Sequence, residues 1–169
     1  MNTIYLCGFM GCGKSTVGRM LADMLGCSFT DMDTYIEQTE NMSIPQIFSE
    51  KGETYFRDAE TVVVEELGSR GGVIACGGGA MLRQTNAEIA GRLGSVVYID
   101  TPFETCWKRI EGDRNRPVVM ANTKQSLEEL YNERARLYIA HSTVRADGNG
   151  TPAEIAEKIR RAVMQSAEI

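Results

Sequence analysis

The sequence predicts an α/β protein of three layers, a parallel sheet of five strands with helices over both faces, in one domain spanning 1–169. Three observations carry that expectation. Five short apolar or β-prone runs alternate with segments of helical period, and such alternation covers both faces of a parallel sheet. The first run passes at once into a glycine-rich turn and then an amphipathic helix, the opening of a βαβ unit. A chain of 169 residues, 43% hydrophobic and 24% charged, suits a single core.

Residues 4–7, Ile-Tyr-Leu-Cys, read as a buried parallel strand. Then comes Gly8-Phe9-Met10-Gly11-Cys12-Gly13-Lys14-Ser15-Thr16, which fits G-x-x-x-x-G-K-[ST]. Glycines at 8, 11 and 13 let the backbone turn its N–H groups inward as a nest for phosphate oxygens. Lys14 brings a positive charge to the β- and γ-phosphates, Ser15 offers a hydroxyl to Mg²⁺, and the helix that starts here adds its positive end. Val17, Met20, Leu21, Met24 and Leu25 recur at helical spacing, so they are expected to face the core, with Gly26 closing the helix. Cys12 sets a thiol inside an anion-binding loop, which predicts an alkylation-sensitive site that nucleotide protects. A glycine-rich turn without a ligand is the bland alternative.

Residues 28–30 form the second strand, ending at Asp31-Met32-Asp33. In extended backbone the two aspartates share a face at a strand's carboxyl end, where ligands gather in open sheets. One carboxylate suits a metal and the other a hydroxyl; the alternative is N-capping of the next helix. Short helices follow over 34–40 and from Ser43-Ile44-Pro45. A longer one carries Phe56, Ala59, Val63 and Leu67 inward, with Arg57 and Glu60 on its polar side, where a plain surface ion pair is the simpler account. Residues 73–76 are the third strand. It ends in Gly77-Gly78-Gly79, which permits close approach by a ligand or marks only a flexible turn.

A helix over 86–93 and a strand over 95–99 come next. Thr101-Pro102 supplies an N-cap and a first-turn proline for a helix running through Trp107 and Ile110. Glu111-Gly112-Asp113-Arg114-Asn115-Arg116-Pro117 has no hydrophobic period. It reads as a mobile loop, either a lid over phosphates carrying Arg114 and Arg116 or a solvated loop. Ser126-x-x-Glu129 and Thr151-Pro152-Ala153-Glu154 look like capping boxes of two further helices, with the last strand over 142–146 between them. His141, the sole histidine, ends a helix, where a dipole contact explains it better than catalysis.

Net charge is −5, which argues against a nucleic-acid partner. No apolar run approaches the ~20 residues a bilayer needs, and no signal peptide precedes the first strand. The five cysteines show no C-x-x-C pair, so free thiols in a reducing cytoplasm are expected and a zinc site is not.

Taken as a set, the phosphate loop, Asp31-Met32-Asp33, Phe56-Arg57-Asp58-Ala59-Glu60, Gly77-Gly78-Gly79, Arg116-Pro117 and Arg134-Ala135-Arg136-Leu137-Tyr138 resemble the shikimate kinases over nearly the whole chain. The resemblance implies a P-loop kinase fold with strand order 2-3-1-4-5 and a mobile lid at about 111–123. It implies Mg²⁺-dependent transfer of the ATP γ-phosphate to the 3-hydroxyl of shikimate, in aromatic amino acid biosynthesis, by a cytoplasmic monomer. Lys14, Asp33 and Arg116 would be catalytic. Gly11, Cys12, Gly13, Lys14, Ser15, Thr16, Arg109 and Arg116 would bind the nucleotide, with Arg109 against adenine. Asp33, Arg57, Gly78, Gly79 and Arg134 would bind shikimate, the two arginines at its carboxylate. Ser15 and Asp31 would serve the metal, Asp31 through water. Position 136 carries Arg where proline is common in the family, and Asp147-Gly148-Asn149-Gly150 lacks an arginine that some members place against adenine. Two alternatives stand beside this reading. One is another small-molecule kinase of similar fold, such as a gluconate kinase, and the other a nucleotide-dependent switch without a small substrate.

Overall fold

In the computed structural model, which describes residues 2–114 and 116–166, every strand pairing is parallel. The strands are β1 (Thr3–Cys7), β2 (Phe29–Asp31), β3 (Val73–Ala75), β4 (Gly94–Asp100) and β5 (Val144–Asp147), in the order β2-β3-β1-β4-β5 expected from the resemblance. β1 lies in the middle because all its residues are apolar or can bury their polar atoms. Thr3 donates its hydroxyl to the Gly68 carbonyl at 2.7 Å and Tyr5 to the Val64 carbonyl at 2.8 Å.

The helices are α1 (Lys14–Leu25), α2 (Met32–Glu40), α3 (Ile44–Lys51), α4 (Glu53–Arg70), α5 (Gln84–Leu93), α6 (Phe103–Ile110), α7 (Pro117–Met120), α8 (Lys124–His141) and α9 (Pro152–Ser166). Side chains alternate along β1, so Thr3 and Tyr5 meet α4 on one face while Leu6 meets α1 on the other. α9 packs on α1, and α5 and α8 share the α4 side. Asn115, in the expected lid, lies outside the described residues.

Several local signals hold. Gly26 closes α1 at φ 62°, Ser43 and Gln46 form a capping box with Pro45 in the first turn of α3, and Thr151 and Glu154 cap α9 reciprocally. Others are corrected. Met20 and Met24 are exposed, and α1 instead buries Val17, Gly18, Leu21 and Ala22. Its small edge wins because a side chain at Gly18 would strike the Phe29 ring. α8 starts a turn earlier than its predicted box, with Thr123 as the cap and Ser126 reaching back to the Thr123 N–H. Thr101 does not cap α6; its hydroxyl goes to the Cys12 carbonyl at 3.3 Å. His141 does end α8, and its Nδ1 also lies 2.8 Å from the Met81 carbonyl, a tertiary contact that the sequence does not show. Past Arg116 the predicted loop becomes α7, whose Val119 is buried against the core.

Candidate active site

The phosphate loop joins β1 to α1 with Gly8 at φ 150°, Gly11 at φ 79° and Gly13 at φ 96°. Residues with a Cβ adopt such angles only with strain, so the loop's course depends on these glycines. Lys14 folds back and donates to the carbonyls of Gly8 at 2.8 Å and Phe9 at 3.2 Å. The first N–H groups of α1 have no acceptor within the helix, and they face the mouth where an anion would sit. Arg109 comes from α6 and donates to the Gly11 carbonyl at 2.9 Å.

Gly11, Gly13, Lys14, Ser15, Thr16, Asp31, Asp33, Gly78, Arg109 and Arg116 line one cavity of about 390 Å³, together with Met10, Cys76, Gly77 and Ile110. Ten predicted positions from the carboxyl edge of the sheet are thus in one place. Arg57, Gly79 and Arg134 are not among the lining residues, and neither is Cys12. Cys12 is 1% exposed, with its sulfur turned inward beside Gly8, which corrects the expectation of an accessible thiol. The Cys12 N–H is bonded within the loop to the Phe9 carbonyl at 3.1 Å, and its side chain belongs to the core cluster.

Asp31 and Asp33 reach the cavity by another route than the extended alternation expected. Asp31 ends β2 and caps α2, accepting from the Thr34 N–H at 3.2 Å, while its other oxygen accepts from the Ser15 hydroxyl at 2.9 Å. The cap reading therefore holds for Asp31, which also lines the cavity. Asp33 is in the first turn of α2 and is not the cap. Burial raises its carboxyl above the ordinary carboxylate value, the Asp31 charge pushes the same way, and Lys14 opposes both.

At the Gly78 end the sheet meets α4 and α8. None of Gly77, Gly78 and Gly79 has a positive φ; their small size serves packing. A side chain at Gly77 would strike the Asp33 carboxylate, one at Gly79 the Arg57 guanidinium, and one at Gly78 would stand 3.4 Å from Arg134 Nη1. Arg57 and Arg134, far apart in sequence, thus lie against consecutive glycines. Arg57 donates to Glu60 at 2.8 Å. Glu60 is 1% exposed, so the pair is no surface ion pair: the predicted polar side of α4 turns into the site. Burial raises the Glu60 carboxyl while Arg57 holds it down. Arg116 lies at the opposite wall, donating to Asp113 at 2.9 Å.

Sequence reasoning missed the supports. Arg83 donates to the Arg57 carbonyl at 3.1 Å and to Asp58 at 2.9 Å, and buried Asn86 donates to the Ala80 carbonyl at 2.8 Å. Tyr131 donates to the Thr101 carbonyl at 2.8 Å, and Tyr138 donates to the Gly78 carbonyl. Their one sequence signal is spacing: Tyr131, Arg134 and Tyr138 share a helix face.

Among the described residues no cluster of three or more His, Cys, Asp or Glu is arranged to hold a metal, and no helix is long and apolar enough to cross a membrane. The shikimate kinase family profile matches residues 10–164. A shikimate kinase of Persephonella marina is 43% identical over 94% of this chain and 97% of its own length. One from Acinetobacter baumannii is 42% identical over 98% of this chain and 94% of its own. Among solved structures, an Acinetobacter baumannii shikimate kinase in complex with shikimate superposes with a TM-score of 0.90 at 41% identity, covering 98% of this chain and 94% of that one. A gluconokinase from Sinorhizobium meliloti superposes at 0.63 with 18% identity, covering 99% of this chain and 94% of that one, and shares the fold alone.

Proposed function

The chain belongs to the shikimate kinase family, and on that premise we propose that its cavity transfers the ATP γ-phosphate to the 3-hydroxyl of shikimate, giving shikimate 3-phosphate and ADP. The observation that carries the residue roles is that Arg134 lies against Gly78 and Arg57 against Gly79, with Gly78 lining the same cavity as the phosphate loop. A planar guanidinium pairs with both oxygens of a carboxylate, and two of them fix an acid that carries its hydroxyl toward Asp33.

Phosphoryl transfer is chiefly positioning and charge stabilisation. The loop N–H groups and Lys14 hold the phosphates, and Arg109 lies at the nucleotide end beside Gly11. Asp33 is the carboxylate placed to orient the acceptor hydroxyl or take its proton. Its raised affinity for a proton suits either task. Arg116 brings charge to the phosphates from the segment that bears α7. Ser15 would hold Mg²⁺ by its hydroxyl, and Asp31, whose carboxylate accepts from that hydroxyl at 2.9 Å, would serve the ion through water. When bound, the ion neutralises charge on the β- and γ-phosphates. We place the chain in the cytoplasm as a monomer.

The test is coupled ADP release with shikimate, with gluconate and with no acceptor. ADP release that requires shikimate supports the assignment. Preference for gluconate would move it to the related kinases, and release indifferent to any acid would favour a nucleotide switch.

A further inference from the structure

We propose that Tyr138 is a positioning residue, whose hydroxyl fixes the peptide joining Gly78 and Gly79 between the two arginines. The inference rests on the shikimate-binding role given to those arginines above.

Tyr138 is on α8, one turn past Arg134, and is 1% exposed. Its hydroxyl donates to the Gly78 carbonyl across sixty residues of sequence. Its ring stacks on Tyr98 of β4, with centroids 5.4 Å apart and planes inclined at 27°, so the phenol has a single direction in which to point. Burial raises the Tyr138 phenol above its ordinary value, while the neighbouring Arg134 opposes the shift by its charge and a hydrogen bond.

The bond sets an orientation as well as a distance. In a trans peptide the Gly78 carbonyl and the Gly79 N–H are in one plane and point in opposite directions. Holding the carbonyl toward α8 therefore aims the Gly79 N–H away from α8. The same peptide is flanked by Arg134 on the Gly78 side and Arg57 on the Gly79 side. Glycines carry no side chain to lock their own backbone, so an outside donor has to do it. Because Arg134 and Tyr138 share a helix face, one element sets both the arginine and the peptide it lies against.

The control is on the same helix. Tyr131 also donates to a carbonyl, that of Thr101, which does not touch the peptide between the arginines. Tyr138→Phe keeps the stacked ring and removes the hydroxyl; Tyr131→Phe does the same at the other anchor. We expect Tyr138→Phe to raise the KM for shikimate about tenfold. The KM for ATP should stay within about twofold of its starting value, and Tyr131→Phe should leave the shikimate KM within the same range. A Tyr138→Phe protein with lower Tm and unchanged shikimate KM would show a role in stability alone and overturn the proposal. So would equal rises in shikimate KM from both variants. Failure of the wild-type chain to turn over shikimate would overturn the functional reading, and the tether is read apart from it by amide exchange. The Ala80 and Leu82 N–H groups bond to the Gly77 and Gly79 carbonyls, and their exchange should quicken in Tyr138→Phe and not in Tyr131→Phe. Unchanged exchange there would overturn the positioning claim whatever the acceptor.

Discussion

At the phosphate end of the cavity, Met10, Gly11, Gly13, Lys14, Ser15 and Thr16 come from one stretch of sequence. At the acceptor end, Arg57, Gly78, Gly79 and Arg134 arrive from α4, the turn after β3, and α8, and the charged groups are side chains. The first end takes its shape from its own glycine backbone angles, with Thr101 and Arg109 each holding one of its carbonyls. The second keeps its shape only because other side chains hold it: Glu60 and Arg83 on Arg57, Asn86 on the turn, Tyr138 on Gly78. The two ends should fail differently when altered. Damage at the first should stop chemistry, and damage at the second should weaken capture of the acceptor.

The largest effect is expected at Lys14. Lys14→Ala removes a half-buried ammonium and no core packing, so turnover should fall by about a thousandfold or more while Tm moves little. A folded variant with near-normal kcat would break the comparison at its phosphate end.

Next come Arg57→Ala and Arg134→Ala. Loss of one partner of a buried charge contact typically costs about 2–5 kcal/mol, roughly thirtyfold to several-thousandfold in shikimate affinity. ATP affinity should hardly change. The double variant should lose less than the sum of the two, because both arginines act on one group. Repeating the cycle with a shikimate analogue that lacks the carboxylate sharpens the point: equal losses there would mean that the arginines do not read the carboxylate.

A smaller effect separates adjacent glycines. A methyl group at Gly79 would displace the Arg57 guanidinium, whereas one at Gly78 meets Arg134 Nη1 at an ordinary 3.4 Å. Gly79→Ala should therefore raise the shikimate KM about tenfold, with Gly78→Ala affecting it less. The reverse ranking in steady-state kinetics would show that the contacts at the acceptor end are not those that matter.

The gentlest test is pH. Burial and Asp31 raise the Asp33 carboxyl, so as pH falls it takes up a proton earlier than a free carboxylate would. If activity needs the ionised form, the acid limb of kcat/KM should lie above the ordinary carboxylate range, and Asp33→Asn should abolish that limb. A limb at the position of an unperturbed carboxylate would remove Asp33 from the rate equation.

Local signals in the chain determined much of this protein. Alternating apolar runs and helical periods specify the layered parallel fold, and the glycines at 8, 11 and 13 with Lys14 specify an anion loop, because each depends on neighbours in sequence. Caps such as Thr151 with Glu154 were legible for the same reason. The acceptor site was legible only as a set of motifs seen together through a family likeness, since Arg57 alone reads as a surface charge. Packing between distant elements decided the rest. Glu60 is buried because α4 turns that face toward Gly77, Cys12 because its side chain packs inward beside Gly8, and Thr101 donates to a carbonyl of the phosphate loop instead of capping α6. A hydrogen bond such as that of Tyr138 to Gly78 joins residues that no local pattern relates. It exists only because the order β2-β3-β1-β4-β5 brings the turn after β3 beneath α8.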